Sequence, residues 1–437
     1  METIDLLLLE FDKDAKLVHP DQLIALKTSL NTGNFTDLLV LSHGWNNNDN
    51  EAKSLYNRLL RLSEKEIASR PASGKKFLAL GVIWPSKKFG DPDTSNSNTA
   101  GGAASTTSTS GNTELAKQAN SLSDIAQTPA TAKQLTEIAK LISANAKAPR
   151  LAEAFTDLFE TFKNGDTKPK ENEEKFPDFT VPEIQAMLTD SGYWDDGLPP
   201  ADTGGSVSLP PPGYGYSMSL FSGIKDSMQN LLNLTTYYMM KDRSGLVGRK
   251  GLNPVLAKLI KAYPTLKIHL VGHSFGARLV SSAILGEEIA NQIKVDSLSL
   301  LQAAFSHYAF AKEYKRSLDG LFRPVVAKQL VKGAFIITHS RKDKAVGIAY
   351  AVASRLARQI ASGIGGKNDP YGGLGGNGAQ VTPEVEQLKL NAANKPYSFK
   401  PGKVYNLESD EFIFGHSEIS VAEVSNALVS AFGIQKS

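Results

Sequence analysis

The amino-acid sequence predicts an α/β protein in which a mostly parallel β-sheet is covered by helices on both faces. The first observation is a series of short runs rich in Leu, Ile and Val that are apolar throughout, which is typical of strands buried on both faces. The second is that helical patterns separate several of these runs, and this alternation indicates parallel strands joined by crossover helices. The predicted strands cover residues 4–11, 37–41, 77–84, 267–271, 298–301, 334–338 and 403–407.

The composition excludes several classes of protein and site. The chain has 437 residues, of which 41% are hydrophobic and 21% are charged, and these fractions are typical of a folded globular protein. Forty-eight basic residues against 45 acidic ones give a net charge of +3, which is too balanced for electrostatic binding of nucleic acid. The chain contains no cysteine, so disulfides, thiolate metal sites and cysteine nucleophiles are excluded.

The sequence also predicts where the protein acts. No apolar run approaches the roughly 18 residues that are needed to span a bilayer. Glu2 and Asp5 stand where a signal peptide would carry positive charge. We therefore expect a cytoplasmic protein without a transmembrane segment; signal-independent export and transient contact with a membrane surface stay open. The sequence does not indicate the oligomeric state.

The strand and helix alternation is interrupted once, between residues 87 and 215. Residues 94–113 contain no charge and no large apolar side chain, so we predict a flexible linker there. Amphipathic helical patterns follow the linker. The sequence thus predicts an α/β core of residues 1–86 and 216–437 with a largely helical insertion at 87–215. Its apolar stripes indicate either a small packed subdomain or a cap that acts as a lid over a pocket.

A second irregular stretch, residues 363–378, is rich in glycine. Gly373 to Gly378 match the spacing GxGxxG, but a dinucleotide site requires a strand before this motif and a helix after it. Here a helical pattern and Asp369-Pro370 precede the motif, and polar sequence follows it. We therefore predict a flexible loop, and we expect no cofactor.

The chemistry-bearing motif is the pentapeptide Gly272-His273-Ser274-Phe275-Gly276. It follows the predicted strand 267–271, and a helical pattern begins at Ala277. GxSxG between a strand and a helix is the signature of a nucleophile elbow, a sharp turn that projects the serine hydroxyl above the sheet. The helix N-terminus behind the serine adds a favourable dipole and backbone N–H donors.

An earlier strand supplies a candidate for a second hydrogen-bond donor. The predicted strand 37–41 leads into Ser42, His43, Gly44 and Trp45. The backbone N–H of Trp45, together with that of Phe275, would stabilise negative charge that develops on a carbonyl oxygen. The alternative is that His43 and Trp45 only pack against the edge of the sheet.

Two later residues complete the set. Asp343 stands in a polar turn after the predicted strand 334–338, and His416 is the only one of seven histidines beyond it. His416 also follows the last predicted strand, which is where a general base oriented by an aspartate is expected. The alternatives are a plain turn aspartate and a surface histidine.

This set of residues resembles the α/β-hydrolase fold superfamily, in its lipase- and esterase-like branch. The resemblance covers the core and rests mainly on the pentapeptide. It implies that Ser274 is the nucleophile, His416 the base, Asp343 the orienting acid, and Trp45 and Phe275 the amide donors, with His43, Gly44, Gly272, His273 and Gly276 in support. Two features depart from the pattern: the insertion precedes the serine, and Asp343 lies far from His416 in sequence. Asp369 and Asp410 therefore remain alternatives for the acid.

By this resemblance the chain is expected to be a serine hydrolase. Its substrate would be a small-molecule or lipid carboxylic ester, cleaved through an acyl-enzyme without a metal. An amidase, peptidase or thioesterase would use the same triad. A non-catalytic scaffold or binding protein on the same fold is the alternative from another class. A metal hydrolase is not indicated, because the chain has no HExxH pattern and its histidines are dispersed.

Overall fold

In the computed structural model, the described residues are 3–71, 74–86, 108–164, 179–189, 224–315, 317–343, 345–346, 372–393 and 395–434. Their strands form one eight-stranded sheet in the order β1-β3-β2-β4-β5-β6-β8-β7, and every neighbouring pair is parallel. The predicted α/β class with a mostly parallel sheet is confirmed. The strands are β1 (Asp5–Glu10), β2 (Asp37–Ser42), β3 (Phe77–Ile83), β4 (Lys267–His273), β5 (Ser297–Leu301), β6 (Phe335–His339), β7 (Val385–Lys389) and β8 (Val404–Glu408).

The strand order reverses at the centre of the sheet. From β2 the chain continues to β3 on one side, whereas β4, β5 and β6 follow one another on the other side. Ser42 at the end of β2 is in register with Gly272 near the end of β4, so the loops after both strands open at the same edge. In open parallel sheets such a reversal leaves a crevice between the two loops, and ligands bind there.

Helices cover both faces of the sheet, because alternate side chains of the buried strands point to opposite faces. In β2, Leu38 and Val40 belong to one apolar cluster, and Leu39 and Leu41 to the other. The helices are α1 (Pro20–Thr32), α2 (Asp49–Ala68), α3 (Ser108–Asp124), α4 (Pro129–Ser143), α5 (Ala148–Asn164), α6 (Val181–Thr189), α7 (Ile224–Leu246), α8 (Asn253–Ala262), α9 (Phe275–Leu285), α10 (Arg323–Ala327), α11 (Leu374–Asn377) and α12 (Ala422–Ala431). A π-helical turn, Val247–Leu252, joins α7 to α8, and a 3-10 turn covers Ile289–Asn291.

The helices α3 to α6 lie in the predicted insertion. Each packs on the next, and α3, α5 and α6 also contact α7, which packs on α9. Their apolar stripes are buried, as Leu135 and Phe155 show with no exposed surface. Helix α3 begins at Ser108, so the last residues of the predicted linker 94–113 are helical. The remainder of that linker lies outside the described residues.

One strand was not predicted. β7 lies at the edge of the sheet and has the sequence VEQLK, in which three of five residues are exposed. An edge strand exposed to water lacks the continuous apolar run that identifies a central strand. Among the helices in the described part of the chain, none combines the length and the hydropathy that crossing a membrane requires.

Candidate active site

Ser274 forms the turn between β4 and α9 by itself. β4 ends at His273 and α9 begins at Phe275, and Ser274 has φ 57° and ψ −123°. A positive φ costs a non-glycine residue about 1–3 kcal/mol, so the surrounding structure must hold it. The Ser274 N–H donates to the carbonyl oxygen of Leu301 (3.1 Å), and the Ala304 N–H donates to that of Ser274 (3.3 Å). The end of β5 thus holds the strained turn from one side.

Glycines at three positions allow close packing around this turn. A Cβ atom on Gly276 would lie 2.2 Å from the carbonyl oxygen of Ser42, and one on Gly272 would lie 2.5 Å from the Cα atom of Ala277. A Cβ atom on Gly44 would lie 2.6 Å from the Cβ atom of Ser274. The loop after β2 therefore lies directly against the serine, at the reversal point of the strand order.

Ser274, His416 and Asp343 form a chain of hydrogen bonds. The Ser274 Oγ atom lies 2.7 Å from His416 Nε2, and His416 Nδ1 lies 2.8 Å from Asp343 Oδ2. Because an ionised carboxylate only accepts, Nδ1–H donates to Asp343 and leaves Nε2 to accept the serine hydroxyl. Ser274 and Asp343 are 4% and 2% exposed, whereas 22% of the His416 side chain is exposed.

The buried charge of Asp343 controls the protonation of His416. Burial disfavours the imidazolium, but the Asp343 charge and its hydrogen bond outweigh burial and raise the pKa of His416. Burial by itself would raise the pKa of Asp343. The attraction of His416 and the hydrogen bonds from His416, Gln302 and the Val346 N–H hold it below its usual value.

Of the two other candidate acids, Asp410 pairs with Arg341 and not with His416. Asp410 accepts from the backbone N–H of Arg341 (2.8 Å) and from its Nε (2.7 Å). Asp369 lies outside the described residues. Of the three carboxylates considered from sequence, the structure brings Asp343 to His416.

The two candidate amide donors belong to residues next to the serine turn: Phe275 follows Ser274 directly, and Trp45 follows Gly44, which lies against Ser274. Phe275 is the first residue of α9, and the first N–H groups of a helix have no intrahelical partner. Within the hydrogen bonds that the described residues make, neither amide has an acceptor. The indole of Trp45 packs on the rings of Phe275 and Tyr237, with centroids 6.3 and 6.2 Å away.

His43 supports the loop that carries Trp45. Its Nδ1–H donates to the Gly44 carbonyl oxygen (2.8 Å), and its ring stacks on Trp84 at 5.5 Å between centroids. Burial lowers its pKa to about 4, so the ring is neutral at pH 7. His43 therefore packs inside the fold and also holds Gly44, the residue before Trp45.

Sequence reasoning missed Gln302, which directly follows β5. Its side-chain Nε2 lies 3.0 Å from Asp343 Oδ2, and its backbone has φ 45°. No motif marks this position, because a single glutamine after a strand has many ordinary roles. Only the packing of β5 beside β6 brings it to the carboxylate.

The described residues do not form a metal centre: no three His, Asp or Glu side chains among them are grouped as ligands. The GxGxxG match at 373–378 contains only the single turn α11. No protein-family model matches the chain, and no curated protein or solved structure matches it. The functional argument therefore rests on the residues and geometry of this chain alone.

Proposed function

We propose that the chain is a serine hydrolase of the α/β-hydrolase type that cleaves carboxylic esters, lipid esters included, through an acyl-enzyme on Ser274. The observation that carries this proposal is the hydrogen-bond chain from Ser274 Oγ through His416 to Asp343. It starts from a strained turn at the N-terminus of α9, where the end of β5 holds the serine by two backbone hydrogen bonds. A nucleophile, a base and an orienting acid in this order are a recurrent arrangement that activates a serine.

In this mechanism His416 moves the protons. As the Ser274 oxygen attacks the ester carbonyl carbon, its proton passes to His416 Nε2, and the Asp343 carboxylate stabilises the imidazolium. The raised pKa of His416 supports this role as a base. When the tetrahedral intermediate collapses, His416 protonates the leaving alcohol. The same nitrogen then takes a proton from the water that attacks the acyl-enzyme, and serine leaves with that proton.

The amide groups of Trp45 and Phe275 bind the developing oxyanion. Among the described residues these two N–H donors have no acceptor, and a negatively charged carbonyl oxygen needs such donors. The rings of Trp45, Phe275 and Tyr237 lie together at this point and favour an apolar acyl group.

The helical insertion acts as a cap over the aromatic rings beside Ser274. Tyr237 belongs to α7, and α7 is in contact with α3, α5 and α6 of the insertion on one side and with α9 on the other. Any shift of the insertion relative to the sheet would therefore move an aromatic ring that packs on Trp45. This connection supports a cap that adjusts access to the serine.

A non-catalytic binding protein is the second candidate, and one observation favours it. Only 4% of Ser274 is exposed, which is little for a residue that must reach a substrate. The complete hydrogen-bond chain argues against this candidate, because a scaffold does not require a histidine oriented between a serine and a buried carboxylate.

Hydrolysis of p-nitrophenyl esters with acyl chains of two to twelve carbons distinguishes the two candidates. We expect turnover that falls at least about a thousandfold in Ser274→Ala and in His416→Ala. His19→Ala, at an exposed histidine, is the matched control and retains wild-type turnover. Absence of turnover in the wild type, or turnover that survives in Ser274→Ala, contradicts the hydrolase and supports the binding protein.

A further inference from the structure

The glycine-rich segment, residues 372–378, is attached to the sheet ends beside Asp343. Its Leu374 and Gly375 N–H groups donate to the carbonyl oxygens of Phe305 (2.8 Å) and Ala303 (2.9 Å), in the chain that follows β5. On its other side, the Gly375 carbonyl oxygen accepts from the Ser340 N–H (2.8 Å), directly after β6. Gly375 therefore bridges the ends of two neighbouring strands.

Gln302 connects this bridge to the carboxylate. Its side-chain Nε2 donates both to Asp343 Oδ2 (3.0 Å) and to the Gly375 carbonyl oxygen (3.1 Å). Because both partners are acceptors, the amide nitrogen must face them, and the orientation of the side chain is determined. Gln302 has no exposed surface. Water therefore cannot replace these two hydrogen bonds without displacing the neighbours.

Gly375 packs against Gln302, whereas the adjacent Gly376 does not. A Cβ atom there would lie 2.6 Å from the carbonyl carbon of Gln302, so any side chain would push Gln302 away. At Gly376 a Cβ atom would meet no atom within 4 Å. The two adjacent glycines thus differ sharply in what they allow.

From these contacts we propose that Gln302, held in place by Gly375, is a positioning residue that orients the Asp343 carboxylate toward His416. Gly375 is then a structural support of the candidate active site. This inference rests on the proposed function. Asp343 Oδ2 accepts from both Gln302 and His416, and Oδ1 accepts from the Val346 N–H (3.2 Å), so three donors fix the carboxylate plane.

Removal of the Gln302 donor has two physical consequences. The carboxylate becomes free to rotate away from the geometry that His416 needs, which lowers kcat. In addition, the Asp343 carboxylate loses one of the donors that disperse its charge, so it attracts the His416 imidazolium more strongly and raises the pKa of His416 further. A side chain that merely filled space would produce neither the second effect nor its direction.

The test is the pH dependence of p-nitrophenyl ester hydrolysis by Gln302→Met, which keeps the length of the side chain and removes its donors. We expect kcat to fall about 10- to 100-fold, the loss of one hydrogen bond to a charged group, with KM within about twofold. The acid limb of kcat/KM should move to higher pH. Gln380→Met is the control, because Gln380 donates to the Asn377 carbonyl oxygen and not to Asp343.

Two alanine variants provide an independent test through the glycine-rich segment. Gly375→Ala should lower kcat and move the acid limb in the same direction as Gln302→Met, whereas Gly376→Ala should match the wild type. Circular dichroism and the melting temperature identify any variant that does not fold. If Gly375→Ala does not fold, the Gln302→Met profile decides.

The outcomes separate this inference from the proposed function. A wild type without Ser274-dependent turnover contradicts the proposed function. An active wild type, together with folded Gln302→Met and Gly375→Ala proteins that retain its kcat and its acid limb, contradicts only the positioning role of Gln302.

Discussion

The Nε2 atom of His273 lies 2.8 Å from the backbone carbonyl oxygen of His416. Because a carbonyl oxygen only accepts, the Nε2–H group of His273 donates this hydrogen bond. His273, which directly precedes Ser274, therefore holds the backbone of His416. Burial and the neighbouring His416 lower the pKa of His273 to about 3, so its ring stays neutral at physiological pH. The segment His273-Ser274 thus carries the candidate nucleophile and also positions His416, the candidate base.

Substitution of His273 tests the role of its hydrogen bond to the His416 backbone. His273→Leu should reduce kcat about fivefold, which corresponds to one neutral hydrogen bond of about 1 kcal/mol, and should leave KM nearly unchanged. His273→Gln keeps an N–H donor at a similar distance and should recover part of the loss. Steady-state ester hydrolysis measures both variants. Equal losses in the two would contradict a role for the hydrogen bond and point to packing alone.

The acid limb of kcat/KM should reflect the raised pKa of His416. His416 must be neutral to accept the proton of Ser274, so a raised pKa places the midpoint of this limb above the ordinary histidine value of about 6.5. In Asp343→Asn the attraction is lost while burial remains, and the midpoint should move below that value. The rate should also fall by about 10⁴-fold, as observed when a triad aspartate is made neutral. A midpoint that does not change would contradict an effect of Asp343 on the pKa of His416.

A methyl group at Gly44 should block the nucleophile. The added Cβ atom would lie 2.6 Å from Ser274 Cβ and 3.1 Å from Ser274 Oγ, and both distances are shorter than van der Waals contact. We expect Gly44→Ala to lose at least about a hundredfold in kcat/KM, because small displacements in a reacting site have effects of this size. Gly376→Ala serves as the control, since its added methyl group meets open space. Wild-type activity in Gly44→Ala would show that the β2 loop is not close to the serine.

Another buried histidine, His269, lies on β4 and pairs with Asp37 at the start of β2, the end of the sheet opposite to the candidate nucleophile. His269 Nε2 lies 2.8 Å from Asp37 Oδ1, and Lys75 Nζ lies 2.7 Å from the same atom. Burial by itself would raise the pKa of Asp37, but the hydrogen bonds from His269, Lys75 and Thr36 outweigh it and lower the pKa to about 2. Asp37 is 1% exposed and is the first residue of β2, whereas Gly44 follows the other end of that strand.

This cluster predicts loss of stability in acid. The Asp37 pKa in the folded chain is below its unfolded value, so its contribution is complete above about pH 4 and is lost as the pH falls toward 2. The contribution is about 2 kcal/mol at neutral pH. Asp37→Asn should lower the free energy of unfolding by about this amount at pH 7, and the difference from wild type should shrink below pH 4. Urea unfolding measures it, with the exposed Asp21→Asn as control; a difference independent of pH would contradict the assignment.

The central strands and the pentapeptide could be predicted because their signals are local. The strand bounds agree to within about two residues for the seven predicted strands, since each is a short apolar run, and all but the edge strand β1 are largely buried. The chain order of Ser274, Asp343 and His416 follows from where parallel strands end, so the three could be proposed together before their distances were known.

The contacts that complete the site could not be predicted, because they are non-local. Gln302 and Gly375 meet only when the segment after residue 371 is placed between the ends of β5 and β6. In sequence, the glycines indicated a flexible loop. In the fold, one of them is required by the close approach of Gln302. β7 was missed for a different reason, since its exposed polar residues carry no core signal.

The central claim is that Ser274 is an activated nucleophile, and reaction with a fluorophosphonate tests it most directly, because the reagent needs no knowledge of the substrate. Intact mass and peptide mapping should show one adduct, on Ser274, formed faster as His416 loses its proton and absent from Ser274→Ala. Absence of an adduct on folded wild-type protein, or an adduct that persists in Ser274→Ala, would contradict the account.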